Sequence, residues 1–307
     1  MAFLDIKNKI DIIHLNKKLN MRKYSYKNIL LTSKLSIEKR MEIWKIILKC
    51  EKINFNKYKE TLKNLKESED FKIIMDDTKR TILLNKEKEK TQNIVKNILC
   101  CFISNNNNIK YCQGMNFIVA FLYDLTNNEE LSFNLFNSLI ENTELKAIYD
   151  KKFELLHCYF YILNRLISLY LPLLKQKFDD IQMSIDCFVS PYFLTLFSHV
   201  FILNNHCKKF MIFIFENFML IGWKIIFKSI LAILKYNEKE ILNKKEEGEF
   251  LNYIIQNLKK SDVFLDDNFE NFLNIYNNFD INNNIINRLE EEYKLENEIN
   301  IEIKSKL

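Results

Sequence analysis

Glycine and proline are scarce in this sequence of 307 residues, which contains only three glycines and two prolines. The three glycines lie far apart, so the sequence lacks the glycine-rich loop that cradles nucleotide phosphates in many proteins. We therefore expect that the chain has no nucleotide site of its own. The scarcity does not by itself predict helices, because the accompanying abundance of Lys, Asn and Ile is the usage that an AT-rich coding sequence produces.

Charge and cysteine content exclude further classes of site. The 45 basic and 40 acidic residues give a net charge of +5 without a long basic tract, which is not the pattern of a nucleic-acid-binding protein. The seven cysteines are scattered, with neither a CxxC pair nor Cys/His ligand spacing, so we expect no metal site and no disulfide framework. The histidines form no pattern typical of a hydrolytic triad, and we expect His157 and His199 to be hydrogen-bonded core residues.

One stretch raises the question of a membrane span. Residues 187–203 are strongly apolar and carry no formal charge, yet they include polar side chains and fall short of the ~20 residues that a spanning helix needs. We therefore predict a buried core helix there and no transmembrane segment. Residues 1–7 are charged too early for a secretory signal. Together with reduced thiols, this predicts a cytoplasmic protein, with room for peripheral association with endomembranes through its partners.

The dominant apolar spacing is that of helices. Between residues 153 and 174 the apolar positions recur at steps of three and four, and no convincing alternating strand competes with them. The sequence therefore predicts an all-α fold with no β-sheet. Pro172 is expected to kink or end an apolar helix, residues 126–128 to close another, and Pro191 to occupy a first helical turn. We predict an N-terminal extension at 1–27, a main domain at 28–281 and a charged C-terminal helix at 282–307.

Two short segments carry the candidate chemistry. Residues 111–116 (Tyr-Cys-Gln-Gly-Met-Asn) place Gln113 beside one of the rare glycines, a residue that tolerates strained backbone and close approach of a partner. Upstream, residues 74–81 (Ile-Met-Asp-Asp-Thr-Lys-Arg-Thr) place Arg80 three positions after Asp77. Taken singly, each segment has a plain interpretation, since Gln113 can fill a turn and Asp77 can form a surface ion pair with Arg80.

Taken together, the two segments resemble the signature motifs of the TBC domain family, the GTPase-activating proteins for Rab-type small GTPases. The first family motif, Ile-x-x-Asp-x-x-Arg, is matched by Ile74, Asp77 and Arg80, with Thr81 following. The second, Tyr-x-Gln-Gly-Met-Asn, is matched at Tyr111, Gln113, Gly114, Met115 and Asn116.

The resemblance extends over residues 29–236. Arg40 and Trp44 resemble the Arg-x-x-x-Trp opening of such domains, and residues 190–198 resemble a further family block. The sequence departs from the family at residues 213–216, where Phe-Ile-Phe-Glu stands in place of Arg-Ile-Trp-Asp.

The resemblance implies a multi-helix TBC-type domain that contributes two side chains to the active site of another protein. Arg80 is the implied arginine finger that stabilises charge on the transferred phosphoryl group, and Gln113 is the implied glutamine finger that orients water. Gly114 is implied to allow close approach to the nucleotide. Asp77 is implied to orient Arg80, while Tyr111, Asn116 and Thr81 support the two segments.

The same resemblance implies that the chain carries no cofactor, because GTP and Mg would be held by the partner, a Rab-type small GTPase in its GTP state. The alternative is a TBC-like scaffold of weak or absent activity, which binds a small GTPase or a membrane-traffic complex without stimulating hydrolysis.

Overall fold

A computed structural model of the chain describes residues 35–50, 55–65, 68–81, 88–106, 109–150, 152–203 and 206–306. The predicted N-terminal extension at 1–27 lies outside these residues. Every regular element in the described ranges is helical, which confirms the all-α prediction.

The helices are α1 (Ile37–Ile47), α2 (Phe55–Lys63), α3 (Glu69–Arg80), α4 (Lys88–Asn105), α5 (Met115–Thr126), α6 (Glu129–Asn142), α7 (Leu145–Ile148), α8 (Glu154–Tyr170), α9 (Pro172–Asp180), α10 (Asp186–Thr195), α11 (Ser198–Leu203), α12 (Lys208–Ile221), α13 (Lys224–Tyr236), α14 (Glu238–Asn243), α15 (Glu247–Asn252), α16 (Phe269–Asn277) and α17 (Asn283–Lys306). A π-helical turn (Tyr253–Asn257) and two 3-10 turns (Leu258–Lys260 and Asp262–Phe264) lie between α15 and α16.

Local sequence explains where the helices near the site begin and end. Helix α3 starts after Ser68, whose hydroxyl accepts the Phe71 N–H at 3.2 Å, and its acidic first turn and basic last turn suit the helix dipole. Helix α5 starts after Gly114 and ends before Asn127, which takes a left-handed conformation with φ 46°. The stop predicted at residues 126–128 is therefore confirmed.

The two prolines behave differently. Helix α8 ends at Tyr170 and α9 begins at Pro172, as predicted. The prediction for Pro191 is wrong, since it lies in the interior of α10 rather than in a first turn. The chain already turns into helix at Ile185, whose carbonyl accepts the Val189 N–H at 3.1 Å.

The stretch 187–203 is not one helix. It is broken between α10 and α11 at Leu196 and Phe197, which have φ values of 47° and 65°. Both residues are buried, as the prediction of a core segment requires. Within the described part of the chain, no helix combines the length and the apolar character needed to cross a membrane.

Helix α5 lies at the centre of the fold and packs against α4, α6 and α11. Its buried ring, Phe121, lies 5.1 Å from the ring of Phe201 and 4.7 Å from that of Phe215, measured between centroids. Aromatic contacts of this kind fill much of the core and account for the large number of phenylalanines. Because α5 is enclosed by these helices, it gives the turn that precedes it a fixed point of attachment.

A partly buried ion pair joins the first described helix to α12, with the Glu216 side chain buried and that of Arg40 half-buried. Arg40 Nη1 donates to both carboxylate oxygens of Glu216, at 2.6 and 2.7 Å, and Trp44 Nε1 donates to Glu216 Oε1 at 3.1 Å. The Trp44 ring also stacks on Phe215. Burial raises the pKa of the Glu216 carboxyl, and Arg40 opposes that shift. The departure from the family at 213–216 therefore keeps a carboxylate and an aromatic ring for Arg40 and Trp44.

Helix α17 runs antiparallel to α8 along its first half. Arg165 pairs with Glu292 at 2.8 Å, and the Tyr161 hydroxyl donates to Glu296 at 2.8 Å. From residue 294 to 299 every side chain is exposed. The predicted domain boundaries at 28, 281 and 282 stay predictions. Helix α17, beyond the boundary at 281 and 282, packs directly on α8 of the main domain.

Candidate functional site

Arg80 is the last residue of α3 and points into solvent, with 71% of its side chain exposed. Its Nη2 donates to Asp77 Oδ1 at 2.6 Å, and its Nε donates to the Asp76 carbonyl at 3.3 Å. Because the guanidinium is exposed to solvent, which screens its charge, the ion pair contributes little stability although its carboxylate is buried. Its effect is to fix the direction in which the guanidinium leaves the helix.

Asp77 connects Arg80 to the second motif. Its side chain is buried, and its other oxygen, Oδ2, accepts the Tyr111 hydroxyl at 3.0 Å. Burial, followed by the negative charge of Asp77, raises the pKa of Tyr111. The phenol therefore stays protonated near neutral pH and donates to Asp77.

Asn116 closes the network on the other side. Its Oδ1 accepts the Gly114 N–H at 3.1 Å and lies 3.3 Å from the Tyr111 hydroxyl, while its Nδ2 donates to Thr81 Oγ1 at 2.7 Å. The Thr81 hydroxyl in turn donates to the Asp77 carbonyl at 2.8 Å. We call Asp77, Tyr111, Asn116 and Thr81 the buried ring. All four are buried, so the end of α3 and the turn before α5 move as one unit.

A residue without a sequence signal also holds this end of α3. Gln92, on α4, donates from Nε2 to the carbonyls of Lys79 and Thr81 at 3.1 and 3.3 Å. These are carbonyls that the end of a helix leaves without intrahelical partners. The contact could not be found from the sequence, because an isolated glutamine on a helix of mixed polarity has no distinguishing pattern.

Gly114 is required by its conformation and by its surroundings. Its φ is 115°, which side chains rarely adopt, and a Cβ atom there would lie 3.0 Å from Thr195 Cγ2 and 3.5 Å from the Leu194 carbonyl oxygen. The turn therefore lies directly against α10. The preceding residue, Gln113, is exposed.

Gln113 lies on the wall of a cleft of about 730 Å³. The cleft is bounded by the turn before α5, by Tyr149, Asp150 and Phe153, and by α10. Cys112 lines it as well, and burial raises the pKa of this thiol to about 11, so it is no nucleophile near neutral pH.

The histidines take different positions. His199 is paired through Nδ1 with Thr195 Oγ1 at 2.8 Å, and burial lowers its pKa to about 3, so it is a neutral histidine inside the fold. The prediction for His157 is wrong, since its side chain is exposed. It lies on the same side of α8 as Glu154 and Arg165, which are also exposed.

The two predicted finger residues are thus exposed side chains on one scaffold. A continuous path of side-chain contacts leads from Arg80 through Asp77 to Tyr111, two residues before Gln113. A guanidinium can grip phosphate oxygens with two donors, and a carboxamide can donate to one oxygen while accepting from another. The family to which such a scaffold belongs is decided by comparison with known proteins.

The family model of the Rab-GTPase-TBC domain matches residues 37–242. The chain belongs to this family. The match includes both motif segments, the Arg40–Glu216 pair and helices α1 to α13. The TBC domain therefore contains the whole buried ring, and α15 to α17 lie beyond the matched residues.

Relatives of this TBC domain include Rab GTPase-activating proteins. The chain is 27% identical over 225 residues to Rab GTPase-activating protein eat-17 of Caenorhabditis elegans, a match that covers 72% of this chain and 24% of that protein. It is 28% identical over 214 residues to the Ecotropic viral integration site 5 protein homolog of Homo sapiens, covering 68% and 25%. The chain thus spans about a quarter of the length of these two curated relatives.

Solved structures share the fold of this TBC domain. The Chlamydomonas flagellar RabGAP TBC domain superposes with a TM-score of 0.62 at 22% identity, covering 79% of this chain and 81% of that one. The Ypt/Rab-GAP domain of Gyp1p gives a TM-score of 0.55 at 13% identity, covering 83% and 96%. At these identities the likeness establishes the fold alone, and the catalytic roles of Arg80 and Gln113 stay predictions.

Proposed function

We propose that this TBC domain is a GTPase-activating protein for a Rab-type small GTPase in its GTP state, and that Arg80 and Gln113 enter the partner's nucleotide site. The observation that carries the proposal is the buried ring, which joins the two segments that bear the exposed side chains of Arg80 and Gln113. The partner would supply GTP and Mg. Peripheral association with endomembranes would then follow from the location of the partner.

The chemistry suits these side chains. The phosphoryl group in transfer spreads negative charge over its oxygens, and an arginine supplied in trans raises the rate of GTP hydrolysis by about 10³ to 10⁵. Arg80 is always charged and, because Asp77 holds it by one amino group, is already directed outward. The Gln113 amide can donate to a phosphate oxygen and accept a hydrogen bond from the attacking water.

The test is single-turnover GTP hydrolysis across a panel of Rab GTPases, with the parent chain and with Arg80→Ala and Gln113→Ala. Matched controls are Arg165→Ala on α8 and Gln256→Ala on the π-helical turn, both exposed residues of the same type outside the site. We expect Arg80→Ala to lose about 10³-fold or more of the acceleration and the controls to keep it. Lack of acceleration of every Rab, or full activity in both site variants, would refute the proposal.

The alternative is a scaffold that binds without stimulating hydrolysis, and the altered residues 213–216 are the departure from the family that favours it. They favour it only weakly, because Glu216 and Phe215 still hold Arg40 and Trp44. The scaffold predicts GTP-dependent binding of a Rab without turnover. The hydrolysis assay and a binding assay on the same panel separate the two functions.

A further inference from the structure

The cleft beside Gln113 has an apolar lining that stays open to solvent. Phe117, Phe153 and Leu194 are half-buried and Pro191 is exposed, although side chains of these types are stabilised by full burial. Charged residues, Lys110 and Asp150, are exposed in the same lining. Solvent-accessible apolar side chains accompanied by charged ones are typical of a protein-binding surface.

Two contacts hold the cleft in shape without a partner. The Tyr149 hydroxyl donates to the Leu194 carbonyl at 2.7 Å and so fastens α10 to the segment before α8. On the opposite side, the backbone of Gly114 lies against the Thr195 side chain. A site that is already formed loses less conformational entropy on binding than one that must be ordered.

Phe153 has a backbone conformation that its side chain does not favour. It precedes α8 with φ 52° and ψ 28°, in the left-handed region where a bulky residue is strained. Asn would suit both this conformation and the position before a helix. A phenylalanine here instead places an aromatic ring in the lining of the cleft.

We propose that this cleft receives an apolar side chain of the Rab partner, from the surface next to its bound nucleotide, with Phe153 as a principal contact. The inference rests on the proposed function, because it takes the Rab as the occupant. Gln113 forms part of the cleft wall, so a GTPase whose nucleotide is reached by Gln113 would lie beside the apolar residues of the same lining. The apolar lining selects an apolar side chain from that surface.

The decisive variant is Phe153→Asn, which removes the ring while keeping a residue suited to the left-handed backbone. Its matched control is Phe269→Asn, at the start of α16, where a half-buried phenylalanine contacts Phe213 and Phe272, residues outside the cleft lining. A second variant, Ser190→Trp, fills the cleft from α10 and tests the same surface without removing an apolar group.

Each variant is assayed for KM and kcat on the Rab that the parent accelerates, and for Kd on that Rab loaded with a non-hydrolysable GTP analogue. We expect Phe153→Asn and Ser190→Trp to raise KM and Kd about tenfold or more, with kcat within about twofold of the parent, because an apolar contact at an interface centre acts on binding. Phe269→Asn should leave KM, Kd and kcat unchanged.

The outcomes separate this inference from the proposed function. If the parent is active and both cleft variants keep its KM and Kd, the inference is overturned while the function stands. If the parent binds a Rab without accelerating it and the cleft variants weaken binding, the inference stands and the proposed activity fails. A dimer in sedimentation velocity that Phe153→Asn dissociates would assign the cleft to a second copy of the chain and overturn the inference.

Discussion

Removal of a single oxygen atom by Tyr111→Phe tests whether the buried ring holds the two motif segments together. The aromatic ring of the Tyr111 side chain is packed in the core and would stay there, so the change is confined to the hydroxyl. Asp77 Oδ2 would lose the donor that lies 3.0 Å away, and the Asp77 side chain is buried. Asn116 would keep the Gly114 N–H as a donor to its Oδ1, so the loss falls on Asp77.

The expected loss of stability follows from that geometry. A hydrogen bond to a charged group contributes about 1.5–3 kcal/mol, and a buried acceptor left without a donor is at least as costly. We therefore expect Tyr111→Phe to lower the free energy of unfolding by about 1.5–3 kcal/mol. At roughly 2–4 °C per kcal/mol for a domain of this class, the melting temperature should fall by about 3–12 °C.

Catalysis should fall as well, for a different reason. With Asp77 held from one side only, Arg80 is directed less firmly, and a displacement of about 1 Å in a catalytic group can cost about 10²-fold in rate. We expect kcat for GTP hydrolysis by the partner to drop about 10- to 100-fold, with a smaller change in KM.

Urea unfolding of the parent, Tyr111→Phe, Asp77→Asn and the double variant measures the bond directly. If Tyr111 and Asp77 interact as described, the effects of the two single changes will not add, and the coupling energy will exceed about 0.5 kcal/mol. Tyr123→Phe is a matched control, because Tyr123 is a buried tyrosine outside the ring. Additive effects, or an unchanged melting temperature in Tyr111→Phe, would refute the role given to the ring.

Other residues give sharper tests of single contacts. Glu216→Ala should cost about 3–5 kcal/mol in urea unfolding by leaving Arg40 without its partner, and a loss under 1 kcal/mol would contradict that pairing. Gly114→Ala should lower the free energy of unfolding by about 1–3 kcal/mol, because alanine is strained in this left-handed conformation, and by more because its Cβ would contact α10. Unchanged stability would contradict this backbone strain. Alkylation of Cys112 should quicken about tenfold per pH unit from pH 7 to 10, since burial raises its pKa to about 11; a plateau near pH 8 would contradict the shift. Burial lowers the pKa of His199 to about 3, so below about pH 6.5 the unfolded chain binds a proton that the folded chain does not. Stability should therefore fall as the pH drops below about 6.5, and His199→Gln should reduce that fall. Equal pH dependence of stability in both proteins would contradict this role of His199.

The sequence was sufficient for the fold class and for the family. Apolar spacing of three and four residues survives in single helices, and the motif letters are contiguous, so both can be seen without coordinates. Asn127 and Pro172 also ended helices as predicted, because a left-handed cap and a missing backbone N–H act on the local chain.

Contacts between distant segments could not be predicted in this way. Phe153 and Leu194 are separated in the sequence by the whole of α8 and α9, yet both line the same cleft as Gln113. The prediction that His157 is a core residue was wrong because the neighbouring apolar residues form the buried face of α8, whereas His157 lies on the exposed face.

The sequence difference at 213–216 is a second case in which the contacts could not be predicted from the sequence. Read as letters, Phe-Ile-Phe-Glu loses an arginine and a tryptophan relative to the family pattern. In the fold, Glu216 supplies the acceptors for Arg40 and Trp44, and Phe215 supplies a stacking ring. The contacts with Arg40 and Trp44, across the interface between α1 and α12, determine which residues of 213–216 are important.

The buried ring is made from the neighbours of the two finger residues, and neither finger is a member of it. Under the proposed function, loss of Arg80 or Gln113 would remove a catalytic group while every member of the buried ring stays in place. A single substitution could thus turn a GTPase activator of this kind into a binding protein, and measurements of stability alone would not detect the change.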